Sequence, residues 1–472
     1  MPRWHRILPL FADYTESNMP TIGAGITVGP GISMSYGMSQ NGLALDLDAT
    51  NTTSTRGQRS LINYTTWATG SGGTTGFNQN GQPSENERVI SGCPFAYNDV
   101  VWEARPLAQT NDDGGWNTDW FNIDNTKLYR FSVWVRRTSS TAGGTFYFGM
   151  HANGDGSRRT DNSAVEGNAY WECSGTSLLS QDQWYLWVGY VYPWNTSYTG
   201  RNAETGYYTV SGGRVGNVNG CNIGSGDLKW SSNSTQGIHR TYLYYCSDST
   251  TRLQFWQPRV DVIDGTQPSI QDLLANAGST WFDVSGRVNN ATLYSQPTFS
   301  TSTGYFAFNG TANYGTVVNN ASLNFNSAQT LQIVMRHSYT SGRRNPWNQA
   351  YAGYGTWTHE QGENISQFFG NGGADNEPYI GVGSPATPRN VWNVMCATRS
   401  TSEFKWYING VLSSTTANPY GVLANTPANI TIGNGYAGYW QGDMSRVTAY
   451  TRALSDAEVA QNFTAVRGLY GI

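Results

Sequence analysis

The chain has 472 residues, of which only 13% are charged and 14% are aromatic, with 55 glycines and a net charge of −4. An ordinary soluble domain is about 25% charged. The scarcity of clustered Lys and Arg therefore excludes a basic nucleic-acid groove, and the lack of any run near eighteen apolar residues excludes a membrane-spanning helix. Aromatic and β-branched residues favour strands, while Gly, Asn, Ser and Thr favour turns, so an all-β chain of two or three domains is expected.

Residues 1–92 are the least regular part and are expected to be an N-terminal arm that docks on a neighbour. Met19 to Leu43 is punctuated by Gly and Pro, Leu43 to Asp48 has the makings of a short strand, and Gly70 to Gln82 reads as a loop. The Met1-Pro-Arg-Trp-His-Arg start carries a basic head, but its apolar stretch is short and broken by Pro, so it is not expected to act as a signal peptide. Synthesis in a reducing cytoplasm is the expectation. Cys93, Cys173, Cys221, Cys246 and Cys396 are odd in number, widely spaced and without a CxxC pair. Neither a zinc site nor a disulfide scaffold is expected from them.

Strand signals begin after Cys93 and run to residue 266. Tyr129, Phe131, Val133 and Val135 alternate with polar residues and Trp134, which places Trp134 on the opposite face. Phe146 to Met150, Gln183 to Val191, Thr241 to Tyr245 and Arg252 to Val262 follow at turn-bounded intervals, the spacing of a sandwich or barrel. Residues 267–278 then predict a short linker helix, with Ser269 as N-cap and Gly278 as stop. From 279 to 472 further strands are expected near Tyr305, Thr330–His337, Gln367, Val391–Arg399, Glu403–Gly410 and Asn429. Asn409-Gly410 between apolar runs is a strong hairpin signal. Met444, Val447 and Ala449 predict a last strand. Ser455 and Glu458 form a capping box that opens a closing helix, with Val459 and Phe463 on its apolar stripe.

Two resemblances sharpen this picture. Residues 93–266 resemble the galactose-binding-like sandwich of carbohydrate-binding modules, through Lys127-x-Tyr-x-Phe-Ser-x-Trp-Val135, Trp184-Tyr185 and the strand near Phe255. Residues 279–472 resemble the laminin-G-like, concanavalin-A-like jelly roll. The matching pieces are Trp281-Phe-Asp283-Val-Ser285-Gly286 with Asn290 and Thr292, Tyr407-Ile-Asn409-Gly410, and Tyr450-x-Arg452-Ala-Leu-Ser455-x-x-Glu458. They imply two tandem β-sandwiches, or jelly rolls, behind an irregular N-terminal arm. Such a chain resembles the structural proteins of tailed-bacteriophage virions. That resemblance implies a non-enzymatic tail-fibre, baseplate or capsid-decoration protein. It would be located in the virion, docked to other virion proteins through its arm, and homo-oligomeric. Host-surface glycan is its implied ligand. A secreted glycan-active enzyme with accessory modules and a purely architectural cement protein are the alternatives.

No compact catalytic string is present. A Glu-x-Asp-x-x-Glu strand would place two carboxylates on one face for retaining hydrolysis, and it does not occur. His359-Glu360 is followed by Gly362 and Glu363 where a metalloprotease motif needs a second His. The stronger signal is aromatic, because flat rings pack on the C–H faces of sugars. Trp194 and Tyr198 in the first sandwich, and Trp347, Tyr354, Trp357, Tyr436 and Trp440 in the second, are the candidate glycan contacts. No cofactor is expected beyond a possible calcium ion, for which Asp155, Asp375 and Asn376 offer hard oxygens.

Overall fold

The computed structural model describes residues 37–95, 97–107, 114–163, 169–221, 223, 226–376 and 378–472. The docking role expected of residues 1–36 lies outside them. Nearly all regular structure is β, arranged as two sandwiches of two sheets each.

In the first sandwich a ten-stranded sheet has Trp184–Tyr192, Tyr129–Arg137, Leu253–Val262 and Asn98–Ala104 side by side at its centre. It faces a six-stranded sheet centred on Thr145–Ala152, Gln236–Tyr244 and Gly115–Thr118. The expected alternation holds. Tyr129, Phe131, Val133 and Val135 enter the core between the sheets, where Phe146, Phe148 and Met150 meet them. Trp134 points to the other side and packs with Trp184, Trp256 and the linker residues Ile270, Leu273 and Leu274. That second cluster includes Phe282 at the start of the second sandwich, so the linker is buried. The helix α1 (Ile270–Leu274) begins at Ser269 with a full capping box to Asp272. It is shorter than expected because Asn276 turns left-handed at φ 65° and the chain continues as a 3-10 turn.

The second sandwich pairs two eight-stranded sheets. One runs in the order Tyr305–Asn309, Gln441–Tyr450, Gln329–His337, Asn393–Arg399, Glu403–Ile408, Val411–Ala417. The other runs from Thr280–Trp281 to Ile430–Ile432, Arg344–Gln349, Gly355–His359, Asn364–Gly370 and Tyr379–Ala386. The Asn409-Gly410 hairpin forms as expected, with φ of 48° and 74°. The closing helix α2 (Asp456–Arg467) starts at Ser455 with the anticipated capping box, and buries Val459, Asn462 and Val466.

Residues 37–92 correct the sequence reading. Leu43–Asp48 is fully buried and pairs antiparallel with the closing strand, Leu45 opposite Ala449 and Asp48 opposite Arg446. Further on, Gly70–Ser71, Phe77–Gln79 and Asn86–Gly92 join the first sandwich. This segment is no separate arm: it supplies strands to both sandwiches, and the first is inserted within the second. Turn residues hid this, because a strand donated to a distant partner has no local hairpin to announce it. A second correction concerns the cysteines. Cys173 and Cys221 are joined in a disulfide, and Cys93, Cys246 and Cys396 are free and buried. Bonds of this kind persist in oxidising surroundings.

Candidate functional site

The sheet that carries Gly355–His359 and Asn364–Gly370 has one face in the core and one face outward. Along Asn364–Gly370, Ile365, Gln367 and Phe369 are buried, whereas Asn364, Ser366 and Phe368 lie half-exposed on the other side. The neighbouring strand obeys the same period of two. Trp357 goes into the core and meets Trp406 at 4.9 Å, while Thr356 and Thr358 flank it on the outer face.

Four rings gather on that outer face. Tyr351 packs edge-on against Tyr379 at 4.7 Å and at a tilt against Tyr436 at 5.5 Å. Phe368 touches the same two tyrosines edge-on, at 6.1 and 6.3 Å. Tyr436 is the most open of the four, at 50% exposure, and it projects from the Gly-rich turn before the closing strand. Buried Asn345 builds that turn. Its Nδ2 donates to the Trp357 carbonyl (2.8 Å) and to Thr358 Oγ1 (3.0 Å), and its Oδ1 accepts from the Ala437 N–H (2.6 Å). Gly435 must be glycine here, since a Cβ would fall 2.7 Å from Asn345 Cγ.

A fixed polar group borders the rings. Arg343 donates from Nε and Nη2 to the two Glu360 oxygens at 2.8 and 3.0 Å, and from Nη2 to the Tyr436 hydroxyl at 2.8 Å. Its guanidinium also lies 5.4 Å from the Tyr436 ring centre and 5.7 Å from that of Phe368. The Glu360 hydrogen bonds hold the Arg343 pKa above its ordinary value against partial burial. Rings with C–H-compatible faces, beside donors and acceptors whose geometry is already set, are the elements of a polar-ligand contact surface. Glu360 is thus engaged by Arg343, and Glu363 by Arg389.

The expected contact residues divide sharply. Trp347, Tyr354, Trp357 and Trp440 are at most 2% exposed and belong to the core of the second sandwich. They are corrected from surface rings to packing residues. Trp357 Nε1 donates to Gln367 Oε1 (2.7 Å), and the Tyr354 hydroxyl donates to Asn324 Oδ1 (2.7 Å). Tyr436 is the one residue of that group on the open face. Trp194 and Tyr198 stay on the surface of the first sandwich at 41% and 40% exposure, with Tyr198 stacked on Tyr192 at 4.7 Å. Phe368, Tyr379 and Arg343 were not anticipated. The parity of Asn364-Ile-Ser-Gln-Phe-Phe369 could have singled out Phe368 as the outward ring.

The calcium candidates do not converge. Asp155 sits in a turn of the first sandwich, where its N–H donates to Asn233. Asp375 and Asn376 are in the second, where Asp375 Oδ1 accepts from the Tyr351 N–H at 2.7 Å and so steadies the aromatic loop. Among the described residues no three His, Cys, Asp or Glu side chains come together as a metal-binding group. His337 and His359 are buried side by side, ring centres 4.2 Å apart, and burial pushes His359 down to about 3.

Residues 309–460 match the family model of the concanavalin A-like lectin/glucanases superfamily. The C-terminal sandwich is a concanavalin A-like jelly roll. No curated protein matches the sequence. Among solved structures, the chain is similar to the receptor binding domain of botulinum neurotoxin C/D mosaic serotype. That likeness is at 16% identity and a TM-score of 0.33, over 39% of this chain and 48% of the other. The binding domain of Paraclostridial Mosquitocidal Protein 1 is similar at 17% identity and a TM-score of 0.35, over 40% and 52%. The chain therefore spans about half the length of these binding domains, and likeness at such scores carries nothing about function.

Proposed function

We propose that this protein is a non-enzymatic glycan-binding protein whose second sandwich takes saccharide on the outer sheet face around Tyr351, Phe368, Tyr379 and Tyr436. One observation carries the reading: four half-open rings in mutual contact adjoin a preset Arg343–Glu360–Tyr436 network on the outer face of this sheet. The match to a superfamily of lectins and glucanases supports it. The engagement of Glu360 and Glu363 by arginines favours binding over hydrolysis at this face. Glycan-array binding of the full chain tests it, with Tyr436→Ala as the control. Binding lost in the variant supports the surface, and an array with no positive glycan, or one unaltered by the variant, rejects it.

We further propose that the protein is a structural component of a virion, at a fibre, baseplate or capsid surface, where residues 1–36 would dock on neighbouring proteins and the chain would form a homo-oligomer. Its support is the resemblance of the tandem sandwiches to tailed-bacteriophage structural proteins. Antibody labelling of purified particles decides this role; unlabelled particles would exclude it.

A further inference from the structure

The first sandwich carries a separate concave surface on the outer face of its six-stranded sheet. Strand parity builds it. Phe146, Phe148, His239, Thr241 and Leu243 are buried on the core side, so Tyr147, Gly149, His151, Arg240, Tyr242 and Tyr244 share the outer side. Register places Tyr242 opposite Tyr147 and Arg240 opposite Gly149, with Tyr170 on the far side of Gly149. Gly149 leaves room for the Tyr170 ring, because a Cβ there would stand 2.5 Å from Tyr170 Cδ1 and 2.2 Å from the Ala169 carbonyl.

Tyr147, Tyr170, Tyr242, Tyr244 and Tyr245 line a cavity of about 250 Å³. Tyr147 lies 4.8 Å from Tyr170 and 5.9 Å from Tyr244, Tyr242 lies 6.3 Å from Tyr170, and the rings meet at steep angles. They make the walls of a trough rather than a stack. The Tyr242 hydroxyl donates to Asn117 Oδ1, which fixes one wall. Burial raises the phenol pKa of Tyr147, Tyr170 and Tyr242, so these hydroxyls stay protonated donors through neutral pH. Tyr245 closes one end. It is 60% exposed and held at φ 56°, a left-handed conformation costly for a bulky aromatic residue. Four residues along the strand from Tyr147, about 13 Å at strand rise, His151 supports Trp120, which is 44% exposed with ring centres 5.6 Å apart.

We infer that this tyrosine trough is a second saccharide site, which binds a neutral polysaccharide chain laid across the sheet from Tyr245 toward Trp120. The occupant follows from the lining. A trough walled by ring faces and rimmed by phenol hydroxyls matches a sugar ring, apolar on its faces and hydroxylated at its edge. A stable protein partner would cover about 20–30 residues a side, far more than the five tyrosines that line this cavity. A charged chain is disfavoured because Arg240, the one cation among the described residues on this stretch, is 8% exposed and lies among Tyr170, Tyr242 and His151.

The proposal stands independently of the second-sandwich surface. Affinity electrophoresis of the full chain through gels containing hydroxyethylcellulose, xylan, galactomannan or mixed-linkage β-glucan tests it. At least one polysaccharide should retard the Tyr436→Ala protein, in which the other surface is disabled. Retardation on that polysaccharide should vanish in Tyr147→Ala/Tyr170→Ala and weaken several-fold in Tyr245→Ala, whose exposed ring can be removed without disturbing the fold. If no polysaccharide retards Tyr436→Ala, or if retardation is unchanged in the trough variants, the trough is not a saccharide site. Binding that is lost in Tyr436→Ala but kept in the trough variants would reject the trough and leave the second-sandwich site standing.

Discussion

Arg446 in the closing strand and Asp46 in the first described strand form a double hydrogen bond, Nε to Oδ1 at 2.8 Å and Nη2 to Oδ2 at 2.6 Å, across a separation of 400 residues. Asp48 adds a third contact at 3.1 Å. Both partners of the main pair are buried, and although burial opposes it, the two carboxylates hold Arg446 above its ordinary pKa. Removing one side of such a pair leaves an uncompensated charge in the interior, at a cost of about 3–5 kcal/mol. Asp46→Ala should lower the urea midpoint of unfolding accordingly. An unchanged midpoint would mean that Leu43–Asp48 does not hold its place in the sheet.

Tyr436 and Trp357 should behave as opposites. Tyr436→Ala removes a half-exposed ring, so it should leave the melting temperature nearly unchanged while glycan affinity falls severalfold. Trp357→Ala empties a core position and should cost about 3–5 kcal/mol of stability, measured by chemical denaturation.

Acid should destabilise the fold through its buried histidines. Burial holds His239 and His359 at pKa values of about 3, well below the ordinary 6.5. Between those values the unfolded chain binds protons that the folded chain refuses, so stability is full above about pH 6.5 and declines as pH falls toward 3. Unfolding free energies measured from pH 8 to 4 should fall less steeply in His359→Gln than in the wild type.

Asp227 should act with the opposite sign. Burial raises its pKa from 3.8 to about 7, while it accepts from the Asn202 N–H at 2.6 Å and from the Thr205 hydroxyl. The folded chain keeps a proton that the unfolded chain has already released, so this contribution is present below pH 3.8 and disappears as pH rises through 7. Asp227→Asn, which keeps an acceptor without the charge, should gain stability relative to wild type at pH 8 and little at pH 4.

The Cys173–Cys221 bond closes a 48-residue separation and ties the loop before Leu228–Trp230 to the strand that carries Tyr170. Reduction should cost about 2–4 kcal/mol, read as a lower melting temperature in reducing agent that is absent in Cys173→Ser/Cys221→Ser.

Where local chemistry decides a structure, the sequence was readable. The Ser455–Glu458 box, the Asn409-Gly410 turn and the alternation through Tyr129–Arg137 each act over a few residues, and each formed as expected. What failed was non-local. Leu43–Asp48 could be read as a strand, but its partner begins some four hundred residues later and nothing nearby names it. The surface aromatics failed for a different reason. Trp347, Trp357 and Trp440 are candidates on ring chemistry alone, whereas side-chain parity along each strand settles which way a ring faces. Thr356 and Thr358 on either side of Trp357 already carried that information. The disulfide was missed because two cysteines separated by 48 residues carry no pairing signal in spacing alone.

The insertion of one sandwich inside the other sets a timetable for synthesis. Leu43–Asp48 leaves the ribosome about four hundred residues before the Gln441–Tyr450 strand that receives it. At ordinary elongation rates of about 5–20 residues per second the early strand waits roughly 20–80 s. Through that interval it is an unpaired apolar edge, while the intervening sandwich can already be complete. The Gln441–Tyr450 strand is therefore the clasp that closes the second sandwich, and a ribosome that stalls before it would release a folded middle preceded by an unpaired apolar strand.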